Sequence, residues 1–298
     1  MLCLEELLKQ AATLSALRVV RQRMVLMLVA RRSLSIVGLF ALGLICMVLA
    51  SAPASSQDAS ALSTIKNRKE LRIGWATIYP YIYRDPKTNQ LVGFAVDFMG
   101  AMAEALGVKP VWVEDSWATM VAGLQSRRFD ITLPAMGVTL PRAEVVTFTD
   151  PVCRLPVGLV VQKKDEAKYK TLEDLDHPDK KVAVSLGSAS DLFATHKFTK
   201  ARLVRVKQGT DSLAQLLAGK VDAWANPADA SGTLEREHPE LITMSVDTVG
   251  SAPMAMAVRQ GEFVFRDWVN LFIDIERRTG SLKKLVVKHG VFEWNRFE

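Results

Sequence analysis

The chain has 298 residues, 38 Lys and Arg against 32 Asp and Glu, and 49% hydrophobic composition. That is enough apolar material for one large or two modest domains. With 12 Pro and 17 Gly spread along it and no period of solenoid length, disordered, fibrous and repeat classes are excluded. The net charge of +6 is uneven: six basic and two acidic side chains fall in residues 1–54, which leaves 32 basic and 30 acidic groups on Ser55–Glu298. A body so near neutrality has no general attraction for polyanions, so no nucleic-acid partner is expected.

Arg31 and Arg32 precede an apolar run, Ser33–Ala50, and the small residues of SAPASSQ follow at once. Basic, apolar, then small is the order of a secretory signal, so residues 1–54 are expected to be a signal peptide cleaved after Ala54, giving a periplasmic protein. The run also approaches the ~17 to 25 residues of a membrane anchor, which keeps a tethered sensory domain as an alternative. Ile45 before Cys46 argues against a lipid-anchored variant. Cys3 and Cys46 leave with the leader, so Cys153 remains without an internal disulfide partner.

From residue 60 onward, short strand-like and helix-like segments alternate. Leu71–Ala76 reads as a strand, Asp97–Leu106 as a helix stopped by Gly107, Lys109–Glu114 as a strand, Trp117–Gln125 as a helix and Asp130–Pro134 as a strand. A second series follows: strand Lys181–Ser185, a helix opening over Ser190–His196, strand Arg202–Val206, helix Asp211–Ala218 and strand Val221–Ala225. Strands separated by helices of this length predict parallel sheets with helical crossovers. Leu155–Lys163 and Ala252–Val258 are the natural crossing points between the two series, and terminal helices over Phe263–Lys288 would complete the first. The expected product is two α/β lobes around a cleft at a double hinge.

The strings GWATIYPYIY, GFAVDFMGAMAEALG, SWATMVAGLQSRRFDITLPAMGVTLPRAEVVTFTDPV, VAVSLGSAS and LLAGKVDAW, in this order, resemble the bacterial extracellular solute-binding proteins of family 3. The resemblance spans essentially the whole chain after the leader. It implies a two-lobed periplasmic-binding-protein (Venus flytrap) fold, type II, with two hinge crossings. Lobe 1 would comprise residues 55–156 and 252–298, and lobe 2 residues 157–251. The implied activity is capture of an amino acid or related small carboxylate and its delivery to an ABC transporter permease in the inner membrane. No cofactor, metal or catalytic residue is implied, and a monomer is the simplest expectation.

Arg142 is the main candidate. An arbitrary Arg at a helix start is usually solvated, but a guanidinium fork holds a carboxylate through two parallel hydrogen bonds, and the resemblance places Arg142 on the solute's carboxylate. The Gly187-Ser188-Ala189-Ser190 turn reads as a capping box of Ser188 with Asp191. Exposed N–H groups at a helix start also attract an anion, and the resemblance brings Ser188 and Ala189 to the same carboxylate from the second lobe. Tyr79 and Trp117 match positions that pack on the solute, although either could be core. Ala135 and Gly137 would supply backbone contacts.

The departures from the family pattern concern the amino end of the solute. Pro227 stands where an Asp commonly binds the α-ammonium group, flanked by Asn226 and followed by Asp229, and Ala76 occupies another often acidic position. Either Asn226 or Asp229 substitutes, or the solute lacks a standard amino group. The chain also resembles the periplasmic cyclohexadienyl dehydratases through SW with FDI and GKVDAW with HPEL, but the proton-donating acid of that chemistry falls on Ala230. His177, His196, His238 and His289 are scattered without zinc-ligand spacing, and no P-loop, dinucleotide glycine run or nucleophile elbow is present.

Overall fold

A computed structural model describes residues 60–227, 231–244 and 252–290, all within one compact unit, Ala59–Glu298. The expected leader and its cleavage site lie outside the described residues. The first half runs Ala61–Arg68 (α1), Glu70–Trp75 (β1), Tyr83–Arg84 (β2), Leu91–Val92 (β3), Phe94–Leu106 (α2), Lys109–Glu114 (β4), Met120–Gln125 (α3), Ile131–Thr132 (β5), Met136–Gly137 (β6), Leu140–Ala143 (α4), Val146–Phe148 (β7) and Cys153–Leu155 (β8). The chain continues through Val157–Gln162 (β9), Lys181–Ser185 (β10), Ala189–Lys197 (α5), Arg202–Val206 (β11), Gly209–Leu217 (α6), Ala223–Pro227 (β12), Ser231–Glu237 (α7) and Leu241–Met244 (β13). It ends with Ala252–Ala255 (β14), Ala257–Arg259 (β15), Phe263–Arg278 (α8) and Ser281–His289 (α9).

Two sheets carry the fold, in orders β4-β1-β5-β15-β7 and β11-β10-β12-β9-β13. In the first, β1 pairs in parallel with β4 and β5; in the second, β10 pairs in parallel with β11 and β12. The strands expected to be parallel are so, and the crossing strands add antiparallel pairings: β15 lies antiparallel to β5 and β7, and β9 antiparallel to β12 and β13. The physical reason is the crossings: β9 follows directly on the passage out of the first lobe and β15 on the passage back, so each enters its sheet against the grain of the crossover strands. The passages lie side by side, since β14 pairs with β8 through Ala252 and Leu155.

The element limits follow local chemistry. Gly107, at φ 69°, closes α2 in the left-handed region that glycine enters freely. The helix expected over Trp117–Gln125 begins later, at Met120, because the Asp115 carboxylate accepts from the Ser116 N–H and the Thr119 hydroxyl and holds a turn there. The strand expected over Val221–Ala225 is shifted to Ala223–Pro227, because the Asp222 carboxylate is turned to the Lys181 N–H and the Tyr169 hydroxyl.

The first lobe buries Ile73, Phe98, Met99, Met102, Phe265, Phe272 and Leu282 in one cluster beneath β1. The Phe98 and Phe272 rings sit 5.5 Å apart, edge to face, joining α2 to α8. Buried Asp130 accepts from the Arg72 N–H at 2.9 Å and pairs with both Arg68 and Arg72, which compensates its charge.

Candidate functional site

The second lobe's β10 ends at Ser185, and the chain turns through Gly187, at φ 75°, into α5. The Ser188 hydroxyl accepts from the Asp191 N–H at 3.1 Å, as a helix cap should. The reciprocal arm of the expected box falls one residue early. The buried Asp191 carboxylate accepts from the Gly187 N–H at 2.9 Å, and also from the Thr195 hydroxyl and Arg205 Nε. A carboxylate and its guanidinium partner thereby stiffen the turn from behind.

On the first lobe, Thr139 caps the short α4, its hydroxyl accepting from the Arg142 N–H, with Pro141 in the first turn. The Arg142 guanidinium donates from Nη1 to the Gly137 carbonyl at 2.8 Å and from Nη2 to the Gly187 carbonyl at 2.6 Å. One side chain thus bridges both lobes. Burial pushes its pKa down from the ordinary arginine value.

Glycine is required where the walls meet. A Cβ on Gly187 would stand 2.9 Å from the Ala118 Cα and 3.0 Å from its nitrogen, closer than backbone atoms tolerate, and the positive φ adds strain. A Cβ on Gly137 would approach the Ala189 Cβ at 3.1 Å.

Between the walls lies a cavity of about 30 Å³. Of the residues expected from sequence, Trp117, Ala135, Ser188, Ala189 and Asn226 line it; Arg142, Tyr79 and Gly137 do not. Gly137 serves as an acceptor for Arg142. Tyr79 is buried in a cluster with Val160, Leu216 and Trp224 of the second lobe, its ring 4.7 Å from that of Tyr83. Its carbonyl accepts from Asn226 Nδ2 at 3.3 Å, and the Trp117 indole N–H donates to the Thr77 carbonyl at 3.3 Å. Tyr81 and Ala76 are buried, and Asp229 and Ala230 lie outside the described residues. A space of this size has room for a few waters at most, so the walls must part or side chains swing before an amino-acid-sized body enters.

Sequence reasoning missed Thr77, Ile78, Ser185, Pro156 and Met254 as cavity lining, whereas Pro227, singled out at the position facing the solute's amino end, lines it. Thr77 and Ile78 follow the carboxyl end of β1, where ligands of α/β sheets bind, so that signal was available. Pro156 and Met254 belong to the crossing region, which pattern alone does not place in a wall. Among the described residues, no group of three or more His, Cys, Asp or Glu is placed to hold a metal.

Residues 71–291 match the model of the bacterial extracellular solute-binding proteins, family 3. The chain belongs to this family. The chain is similar to a cyclohexadienyl dehydratase of Pseudomonas aeruginosa, 25% identical over 84% of this chain and 94% of that protein. An L-arginine-binding protein of the same organism is 28% identical over 78% of this chain and 92% of its own length. The crystal structure of the ancestral amino acid-binding protein AncCDT-1, a precursor of cyclohexadienyl dehydratase, superposes with a TM-score of 0.72 at 30% identity, covering 77% of this chain and 99% of that one. Most of the similar proteins are binding proteins rather than enzymes, and two sheets joined by paired crossings give this chain the two-lobed family fold.

Proposed function

We propose that this chain is a periplasmic receptor of an ABC importer that closes two lobes on an amino acid or related small carboxylate and passes it to an inner-membrane permease. The lobes are residues 55–156 with 252–298, and residues 157–251, behind a signal peptide cleaved after Ala54; the receptor acts as a monomer. The observation that carries this reading is the Arg142 guanidinium, which reaches from one lobe to the first turn before a helix of the other.

A solute carboxylate entering between the walls takes over the guanidinium fork from the Gly187 carbonyl. It meets the N–H groups that open α5, where the Ser188–Ser190 segment lines the cavity. Ala135 and Trp117 shape the first wall, with Gly137 holding Arg142 behind it, and Asn226 and Ala189 the second. The carboxylate is held from both sides only when the lobes are shut, so binding favours the closed form by the difference in contacts. Tyr79 acts on closure, packing into the second lobe rather than on the solute.

The lining hydroxyls and amide hold a ligand rather than break a bond, and the position counted for a dehydratase acid is Ala230, which has no proton to give. The protein is therefore read as a non-enzyme. Titrating a panel of amino acids, oxo acids and aromatic carboxylates by calorimetry tests the proposal. One member is expected to bind, with Arg142→Ala weakening it about 100-fold or more. Binding untouched by that change, or turnover of prephenate, would overturn it. N-terminal sequencing of the exported protein checks the leader.

A further inference from the structure

After β4 the chain enters a turn, Asp115–Thr119, and one carboxylate sets its course. The Asp115 N–H carries the β1–β4 ladder one step further, donating to the Trp75 carbonyl at 2.8 Å. Its side chain, 5% exposed, accepts from the Ser116 N–H at 2.8 Å, from the Thr119 hydroxyl and from Arg128 Nη1 at 3.1 Å. Held in this way, the turn presents the Trp117 indole to the cavity and the Ala118 backbone to the second lobe.

The second lobe lands on this turn at two points. Gly187 comes so close to Ala118 that a Cβ has no room, and Gln208 Nε2 donates to the Asp115 carbonyl at 3.4 Å. Gln208 is the N-cap of α6, anchored by its N–H on Asp211 Oδ2 at 3.3 Å, and the next residue, Gly209, lines the cavity. Arg142 and Asn226 also donate across the lobes, but their fork and amide stand where the solute enters. Neither Gln208 nor Asp115 lines the cavity.

We propose that Gln208 is a positioning residue of the receptor, a clasp that closes on the Asp115 carbonyl and seats the Trp117 wall against the second lobe. This rests on the closing-receptor reading and adds to it a residue outside the cavity. The bond forms only as the walls meet, so it favours the closed form and leaves the open one untouched. Apparent affinity scales with the fraction of binding-competent molecules, so the clasp raises the affinity of every solute by one factor and selects none. A single hydrogen bond of this kind changes that fraction about threefold to tenfold.

Closure can be read without knowing the solute, through a disulfide across the cleft. A Cβ on Gly137 stands 3.1 Å from that of Ala189, slightly inside the roughly 3.5–4.5 Å of a disulfide. The exported chain carrying Gly137→Cys and Ala189→Cys is therefore expected to cross-link in glutathione buffer as the walls meet. Adding Gln208→Met, which keeps the length and loses the donor, is expected to slow cross-linking about threefold to tenfold. Gln208→Glu, which sets a carboxylate against the carbonyl, slows it further. Both variants, reduced, are expected to melt at the temperature of the parent; if one fails to fold, the other decides. Cross-linking at the parent rate in either folded variant overturns the clasp. So does slowing that follows a lowered melting temperature, the mark of a helix cap alone. A parent chain that never cross-links overturns the closing receptor itself.

Discussion

In the first lobe, α2, α8 and α9 close a continuous aromatic and methionine-rich core around β1, with Phe98, Met99, Met102 and Phe265 fully buried. The second lobe is built on the same strand order but on a smaller aliphatic cluster of Val182, Val184, Leu159 and Leu175. Its other face, at Val160, Ala183, Leu216 and Trp224, is completed by Tyr79 and Tyr83 of the first lobe. One lobe is thus a self-contained scaffold, whereas the other finishes its core by meeting its neighbour. Stability and closure separate in the first lobe and are coupled in the second.

The strongest challenge to that contrast is a cavity in the scaffold. Phe98→Ala removes a buried ring that packs on Phe272, and is expected to lower unfolding free energy by roughly 3–5 kcal/mol while solute affinity at a temperature where the chain stays folded is unchanged. Denaturation with calorimetric titration measures both; an affinity loss matching the stability loss would show that the lobes are not separable.

Tyr79→Ala should act differently, losing roughly 2–3 kcal/mol of apolar burial and weakening solute binding at the same time, because the ring packs across the lobes on Val160, Leu216 and Trp224 as well as on Tyr83 of its own lobe. The Tyr79 hydroxyl is buried without a hydrogen-bond partner among the described residues. Tyr79→Phe is therefore expected to be neutral, or to gain up to about 1 kcal/mol. If both variants behave alike, the ring is not what joins the lobes.

Gly187→Ala sharpens the contrast at the wall. Positive φ alone costs roughly 1–2 kcal/mol for an L side chain, and the added Cβ meets Ala118 of the opposite lobe at 2.9 Å. The expected result is a lobe that folds but a cleft that shuts incompletely, seen as a larger radius of gyration in solution scattering with saturating solute. A wild-type radius would contradict the close approach.

The smallest effect lies near the surface of the second lobe, at Asp176. Burial pushes the Asp176 carboxyl up, but the N–H groups of Ala201 and Lys200 and the Thr199 hydroxyl outweigh it and bring it down to about 2. Because the folded pKa lies below the unfolded one, the stabilisation is present above about pH 4 and disappears as pH falls towards 2. Discounted for solvent screening, it amounts to about 1 kcal/mol, and Asp176→Asn should remove that acid dependence in denaturation curves taken from pH 5 to pH 2. An unchanged pH slope would refute it.

Local pattern alone placed β10 and β11 at their observed limits, stopped α2 at Gly107 and identified Ser188 as a cap, since helix period, capping and glycine's freedom act over a few residues. Resemblance in the string order was enough to name the family. Arg142 and the Gly187–Ser188 turn could be singled out one at a time, but their meeting spans 45 positions and depends on how the lobes close. The same holds for the reversed strands β9 and β15, for Tyr79 leaving its own lobe's core, and for the indole, amide and guanidinium donors that take the cleft's carbonyls. Those are decided by which surfaces the two crossings bring face to face, a long-range geometric condition that no short window of residues contains.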